Sequence, residues 1–368
     1  MQRSIILLAT KLSKQWRSPN RPITRYLTNS LRNIINWHRN SSSSQKHEGI
    51  ICIWDSSTSH ISFDFIWLLF EFSHEAQSRG YDGFTLVLYF PSEPKAGSFL
   101  DYRKWVNDEE VRGRIDKIIQ PLAKMHEFVR NIVTIYGKDQ MKEYLQSRTE
   151  EIYPNNFSIR YSPTLPYYQK VYSVLRKYVV HDDRFKFFEA SKPKSRQEIE
   201  QDFPDHAEVL AEKYIVLTLR DYGFDPMRDT SQSDVSKADS LAKLLGVKLC
   251  IVPDNIEKLS IYDLPDDSYV VHSARFSLYA RAILYANSLV NIFRPAGPAG
   301  LSSFISTTKT ILVGLGSGGA SGNFEYYKKH QNWKPYEQPM LQLRTYILWF
   351  EDRDDYSTDD LLHAYNSI

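Results

Sequence analysis

The sequence predicts an α/β protein made of two doubly wound halves that face each other, preceded by a basic extension. Two observations carry this prediction: a strand, helix, strand succession begins near Gly49, and a second α/β succession begins at Tyr214. A third observation, the lack of acidic residues before Glu48, sets the extension apart. Units of this kind hold their strands parallel, so we expect the strand ends of both halves to meet at one shared cleft.

The first half begins with apolar runs of strand length on either side of an apolar helix. The pattern predicts strands over Ile50–Trp54 and Phe84–Phe90, with a helix over Phe63–Gln77 between them. Amphipathic helical patterns follow over residues 111–146, and another helix is predicted over residues 168–178.

The second half repeats this order after a polar segment with two prolines, Lys192–Asp205, where we place the domain boundary. The predicted division is residues 1–48 for the extension, 49–200 for the first domain and 201–368 for the second. The predicted elements of the second domain are strands over 214–219, 247–252 and 309–313, and helices over about 234–245 and 274–288.

The extension carries nine Lys or Arg residues before Glu48, with Trp, Leu and Ile at near-helical spacing among them. Such a pattern is typical of amphipathic helices on an anionic membrane surface, of a targeting peptide, or of a loosely ordered basic tail. Ser41–Ser44 form a short flexible linker after it. All three interpretations remain open for this segment.

Composition excludes several classes of protein. The chain has 368 residues, 42% hydrophobic, enough for about two cores. Beyond the extension, 37 basic residues stand against 44 acidic ones, which does not suit a nucleic-acid binder. Cys52 and Cys250 lie in apolar runs, as expected of free thiols in a reducing compartment. No apolar stretch approaches the ~20 residues that span a bilayer. We therefore predict a cytoplasmic protein, peripheral to a membrane if the extension binds lipid.

Two motifs resemble cofactor-binding or metal-binding patterns, but the sequence around each motif does not support such a site. GLGSGG, Gly314–Gly319, fits a dinucleotide fingerprint, but the apolar helix, second strand and acidic residue that should follow it are missing. We interpret it as a Gly-rich loop or tight turn. Asp352 and Asp354 form an Asp-x-Asp pattern of the kind that holds a divalent ion, or else a solvated acidic turn. The histidines show no ligand spacing, so no metal site and no required cofactor are predicted.

Polar and cationic residues follow the predicted strands of the second half. Arg220 ends the apolar run YIVLTLR, and its planar guanidinium suits a diphosphate at the cleft. A Gly/Ser turn after a helix end would bring backbone N–H groups to the same anion. The predicted anion-binding residues are Arg220, Arg228, Asp254, Asn287, Gly297, Ser302 and Ser303. Singly, Asp254 also suits the cap of a turn or helix, Gly297 also suits ordinary loop punctuation, and Arg228 also suits an ion pair with a neighbouring acid.

Several segments resemble a group of bacterial surface-polysaccharide glycosyltransferases. They are IICIWDSSTSHISFDFIWLLFEFSHEAQSRG, FTLVLYFP, VLTLRDYGFDPMRDTSQSDVSKADSLAKLLGVKLCIVPD, NSLVNIFRPAGPAGLSSF, KPYEQ and LWFEDRDD. The LTLR element is similar to the strand-end arginine of fucosyltransferase-like enzymes, although Leu219 stands where those enzymes often have histidine. The resemblance implies two facing Rossmann-like domains, the GT-B fold, with Arg220 on the diphosphate of a nucleotide sugar.

The resulting prediction is a metal-independent glycosyltransferase that moves a sugar from a nucleotide diphosphate donor to a polysaccharide or lipid-linked acceptor. Arg220 would stabilise the leaving diphosphate, and a base would come from the first domain, where Asp55, His60 and Asp64 follow the first strand. Helix capping is the rival role for those three residues. The alternatives are a pyruvyl or other group transferase of surface glycans, and a glycan-assembly protein without catalysis.

Overall fold

The computed structural model describes residues 49–91, 107–159, 167–177, 185–221, 226–253, 259–305, 307–316, 323–350, 352 and 354–368. The basic extension and Asp254 lie outside the described residues, so the predictions made for them stay predictions.

The first sheet has four parallel strands in the order β3-β2-β1-β4. Its strands are β1 Ile50–Asp55, β2 Phe84–Phe90, β3 Val129–Tyr136 and β4 Glu151–Tyr153. The predictions for β1 and β2 are confirmed. The helical prediction over residues 111–146 is wrong at β3, where Ile132, Val133 and Ile135 belong to a β-branched run that suits a half-buried edge strand better than a helix.

Helices connect these strands and cover the sheet. The helices of this half are α1 Phe65–Ser78, α2 Asp108–Arg114, α3 Gln120–Met125, α4 Lys138–Gln146 and α5 Tyr167–Leu175. A π-helical turn, Ile115–Ile119, joins α2 to α3. Such turns are uncommon and often lie at functional sites.

The second sheet has six parallel strands in the order β10-β9-β8-β5-β6-β7. Read in chain order from β5, this is the doubly wound order of a Rossmann fold, with the direction of winding changing between β5 and β8. Its strands are β5 Tyr214–Thr218, β6 Lys248–Val252, β7 Tyr269–Val270, β8 Asn291–Phe293, β9 Thr310–Leu315 and β10 Thr345–Trp349.

Several helices of the second half begin or end at residues that suit helix caps. α8 begins at a capping box of Ser231 and Asp234 and ends at Gly246, whose φ is +65°. The predicted helix over 274–288 is two helices separated at Ser277, which caps the second one. The helices are α6 Arg196–Asp202, α7 Pro204–Leu210, α8 Gln232–Leu245, α9 Ser273–Phe276, α10 Leu278–Asn287, α11 Gly297–Phe304, α12 Phe324–Tyr326 and α13 Thr358–Asn366.

The N-terminal part of helix α1, FIWLLF, is apolar throughout because it is covered from both sides. One side lies on the first sheet. On the other, the Trp67 ring contacts Phe304 of α11 at 5.3 Å and Tyr172 of α5 at 5.4 Å between centroids. One hydrophobic cluster therefore runs from the first sheet into the second half of the chain.

A short aromatic segment, Phe185–Phe188, ties the two halves together. Its backbone bonds to the first half through Glu127 N–H to Phe187 O, 2.9 Å, and to the second through Phe188 N–H to Phe304 O, 3.1 Å. Because it binds both halves, it fixes the position of α11 relative to the first sheet.

The predicted boundary between residues 200 and 201 falls inside α6, which packs on α7 and α10 of the second half. The first sheet ends at Tyr153 and the second begins at Tyr214, so the sheets themselves divide on either side of this region. None of the helices in the described part of the chain is long and apolar enough to cross a bilayer.

Candidate functional site

A cavity of about 920 Å³ lies between the two halves, at the carboxyl ends of the strands of the second sheet. In doubly wound sheets ligands bind at this edge, where the winding changes direction. The first half contributes the start of α1, helix α2 and the π-helical turn, and the second half contributes the ends of β5 and β8 together with α9 and α10. The lining includes Ser62, Phe63, Asp64, Glu109, Glu110, Arg112, Arg114, Lys117, Arg220, Asp221, Arg228, Arg275, Phe276, Arg281, Ala296, Gly297 and Pro298.

Cationic side chains outnumber acidic ones in the wall of this cavity. Seven Lys or Arg residues line it, against the four acidic residues Asp64, Glu109, Glu110 and Asp221. Low-dielectric walls strengthen the field of such an excess. The cavity therefore favours an anionic ligand.

Arg220 lies at the end of β5, as predicted, and is 6% exposed. Its backbone N–H donates to Thr230 Oγ1 at 2.7 Å, and its Nη1 forms an ion pair with Asp229. An internal acid thus orients the guanidinium at the cavity wall. The partner is Asp229, nine residues along the chain, in the turn that also contains Arg228.

Arg228 and Gly297 both line the cavity beside the turn that follows β8. Arg228 donates from Nε and Nη2 to the carbonyl of Pro295, at 3.1 and 2.5 Å. Gly297 is the first residue of α11, and a Cβ added there would stand 2.6 Å from the Cβ of Phe63. Only glycine allows this close approach between the halves, which presents the N-terminus of α11 to the cavity.

A buried ion pair that the sequence analysis missed supports this turn. Arg294, at the end of β8, donates from Nε and Nη2 to both carboxylate oxygens of Asp234, at 2.8 and 2.7 Å, and each side chain is 1% exposed. Tyr356 donates to the same carboxylate, and Asp354 accepts a further bond from Arg294 at 2.8 Å. Burial lowers the pKa of Arg294, but Asp234 outweighs it and holds the pKa above its usual value.

Of the three predicted bases, Asp64 alone lines the cavity. Asp55 accepts hydrogen bonds from the Ser57 N–H and Oγ, at 2.8 and 2.6 Å, which closes the turn after β1. His60 follows that turn and is absent from the cavity wall as described. Burial raises the pKa of Tyr326, Asp64 raises it further and Arg228 lowers it, so Asp64 and Arg228 lie near the same phenol.

Three other predicted residues bind the protein itself. Asn287 ends α10 and donates to Ile283 O at 2.8 Å. Ser302 and Ser303 are buried within α11, where Ser302 bonds Thr310 Oγ1 at 2.7 Å and Ser303 donates to Ala299 O at 2.8 Å. Their side chains help to pack α11 rather than to line the cavity.

The GLGSGG motif is a strand end in its described part. Gly314 has φ +70° and lies at a bulge where β9 loses register with β10, and Gly316 has φ +102°. Both values favour glycine for backbone reasons alone. Asp354 of the Asp-x-Asp pattern binds Arg294 and Ser231. Within the described ranges, no group of three His, Cys, Asp or Glu residues is arranged to hold a metal ion.

Arg281 is a further cavity residue that the sequence analysis did not single out. It lies in α10, is 5% exposed, and donates from Nε to Ala274 O at 2.7 Å. Its sequence signal is the arginine within the otherwise apolar helix LYARAILYAN. Arg275 and Phe276, in the preceding α9, line the same part of the wall.

Comparisons with known proteins agree with this architecture. No protein-family model and no curated protein sequence matches the chain. A solved structure of a glycosyl transferase family 9 protein from Veillonella parvula is similar over 87% of this chain and 97% of that chain, with TM-score 0.51 and 10% identity. E. coli ADP-heptose LPS heptosyltransferase II aligns over 87% of this chain and 98% of its own, with TM-score 0.41 and 11% identity. The first similarity, with the two parallel sheets, confirms the predicted fold of two Rossmann-like domains of the GT-B type.

Proposed function

We propose that the protein is a glycosyltransferase that uses a nucleotide diphosphate sugar and a glycan or lipid-linked acceptor. The observation that carries this proposal is the cation-rich cavity at the switch point of the second sheet, closed on its other side by the first half. A nucleotide diphosphate has the charge that this wall favours, and a 920 Å³ cavity is large enough for a nucleotide sugar.

In this proposal each half has its own task. The N-terminus of α11, Arg228 and Arg220 bind the diphosphate and stabilise the charge that it gains as the bond to the anomeric carbon breaks. Asp64, across the cavity, takes the proton of the acceptor hydroxyl as the new glycosidic bond forms. Among the predicted bases we retain Asp64, because a base must reach the reacting atoms and Asp64 lines the cavity.

Replacing Arg220 with lysine tests the diphosphate site. We expect kcat/KM for transfer, and affinity for nucleoside diphosphates, to fall about ten- to hundredfold, because lysine keeps the charge but loses the planar fork worth roughly 1.5 to 3 kcal/mol. Titration calorimetry with a panel of nucleoside diphosphates measures the affinity, and the melting temperature of the ligand-free variant measures its stability.

Arg196→Lys is a matched control, since Arg196 pairs with Glu200 on α6, away from the cavity. It should leave nucleotide affinity unchanged. A purely structural Arg220 would show a lower melting temperature with the same affinity, and that result in both Arg220→Lys and Arg220→Ala contradicts the proposal. If no nucleoside diphosphate raises the melting temperature of the wild-type protein, the alternative of a glycan-assembly protein without catalysis is favoured.

We also propose that transfer needs no divalent ion, because arginine side chains supply the positive charge beside the leaving group. Activity should therefore survive EDTA within about twofold, a change smaller than one hydrogen bond would produce. Assays with and without the chelator, in parallel with a metal-dependent transferase as a control, measure this. Loss of turnover that magnesium or manganese restores would assign the charge to a metal instead.

A further inference from the structure

The charge of Arg281, a buried residue of the cavity wall, is balanced differently from the charges of two other cavity arginines, Arg220 and Arg114. Arg220 pairs with Asp229, and Arg114 pairs with Glu110 at 2.8 Å. Arg281 bonds only a neutral carbonyl, Ala274 O, and among the described residues no carboxylate forms an ion pair with it. Arg281 is nevertheless 5% exposed as a residue and forms part of the cavity wall.

A buried cation without a counter-charge is costly, so a protein rarely keeps one unless something binds it. The bond from Nε to Ala274 fixes the plane of the guanidinium. The two Nη groups, with four N–H donors, then remain for a ligand, and two parallel N–H groups match the oxygens of a phosphoryl or carboxylate group. The position is thus prepared for an anion before the ligand arrives.

The surroundings of Arg281 place this anion away from the end of β5. Ala274 follows β7, which lies two strands from β5, a separation of roughly 10 Å at the usual strand spacing. Helix α10 also contacts α3, which follows the π-helical turn that brings Lys117 to the cavity. Helix α10 also contacts α11, so Arg281 lies in the wall of the same cavity as the N-terminus of α11, on the side of β7.

We propose that Arg281 is the centre of a second anion-binding subsite, which takes a phosphoryl or carboxylate group of a bound substrate. Within the proposed function, on which the choice of substrates rests, this group belongs either to the nucleotide of the donor or to an acidic acceptor. The chemistry is the same in both cases. Inorganic pyrophosphate and glucuronic acid serve as the two probes that tell the sources apart.

The test compares Arg281→Met and Arg281→Lys with the wild-type chain. Arg281→Met should weaken binding of one probe about ten- to hundredfold, the range of a charge-assisted hydrogen bond, and Arg281→Lys should retain part of the affinity. The ligand-free Arg281→Met protein should melt no lower than wild type, because the uncompensated charge is gone. Lys243→Met, on the exposed face of α8, controls for the change in net charge.

Weaker pyrophosphate binding assigns the subsite to the donor, and weaker glucuronate binding alone assigns it to an acidic acceptor. The subsite is overturned if Arg281→Met binds both probes as wild type does, if wild type binds neither, or if the variant only melts lower. If the wild-type chain transfers sugar and Arg281→Met binds both probes normally, the subsite is wrong but the proposed function stands. If pyrophosphate binding depends on Arg281 but the protein has no affinity for nucleoside diphosphates, the subsite stands and the proposed function is wrong.

Discussion

Replacing Asp234 with alanine is expected to lower the free energy of unfolding by about 3 to 5 kcal/mol, because it leaves the buried Arg294 guanidinium without its main counter-charge. The same change removes the acceptor of the Tyr356 hydroxyl and the N-terminal capping box of α8. Chemical denaturation followed by circular dichroism measures the loss.

The control is on the same helix. Asp239 pairs with Lys243, whose side chain is 66% exposed, so Asp239→Ala should cost no more than about 0.5 kcal/mol. Arg294→Met should destabilise wild type strongly but the Asp234→Ala protein much less, since the two residues act as a pair. Equal effects of Asp234→Ala and Asp239→Ala would show that the pair is not a stabilising contact.

Mild acid should destabilise the protein through His126. Burial, and then the charge of Lys192, lowers the pKa of this imidazole to about 3, below the ~6.5 of an unfolded chain. Its stabilising effect is complete above pH 6.5 and is lost as pH falls toward 3, at about 1.4 kcal/mol per pH unit. We expect a loss of about 2 kcal/mol between pH 6.5 and 5, measured by denaturation at each pH.

The hydrogen bonds of His126 give the reason. Nδ1 accepts from the Phe128 N–H at 3.2 Å, and Nε2 lies 3.0 Å from Ser73 Oγ, which donates to Leu69 O at 2.7 Å. The neutral ring is fully bonded, and a second ring proton would face the Phe128 N–H. The acid slope should fall sharply in His126→Gln and largely persist in His74→Gln, because burial also lowers the pKa of the half-buried His74 but lowers that of the fully buried His126 to about 3. If His126→Gln fails to fold, NMR titration of wild type decides, and an imidazole that protonates near pH 6.5 contradicts the prediction.

Elements buried on both faces were predictable from the sequence. β1, β2 and β5 are central strands, so their residues form continuous apolar runs that only a covered sheet explains. β8 has three residues, too few to show a period, and β3 is an edge strand whose mixed exposure resembles that of an amphipathic helix.

The cavity residues that could be predicted from the sequence are those that follow a strand closely along the chain. Arg220, Arg228 and Gly297 come soon after β5 or β8, and all three line it with Asp64. Arg281 lies within a helix, and its exposure to the cavity depends on how α10 packs. Asp234 and Arg294 are 60 residues apart, so the pairing that places the Pro295 carbonyl is a tertiary contact that no local pattern shows.

The segment Phe185–Phe188 has a mechanical consequence for the two halves. A freely hinged pair of domains opens by rotation about a linker with few contacts, but here the linking backbone is bonded on both sides and Phe187 stacks on His126 in the first half and on Phe304 in the second. Opening by rotation would break this shared core, so we expect relative movement of the two halves to be limited to small shear between packed side chains. On this expectation the aromatic rings behind the cavity hold its width, and a substrate fits the existing cavity instead of drawing its two walls together.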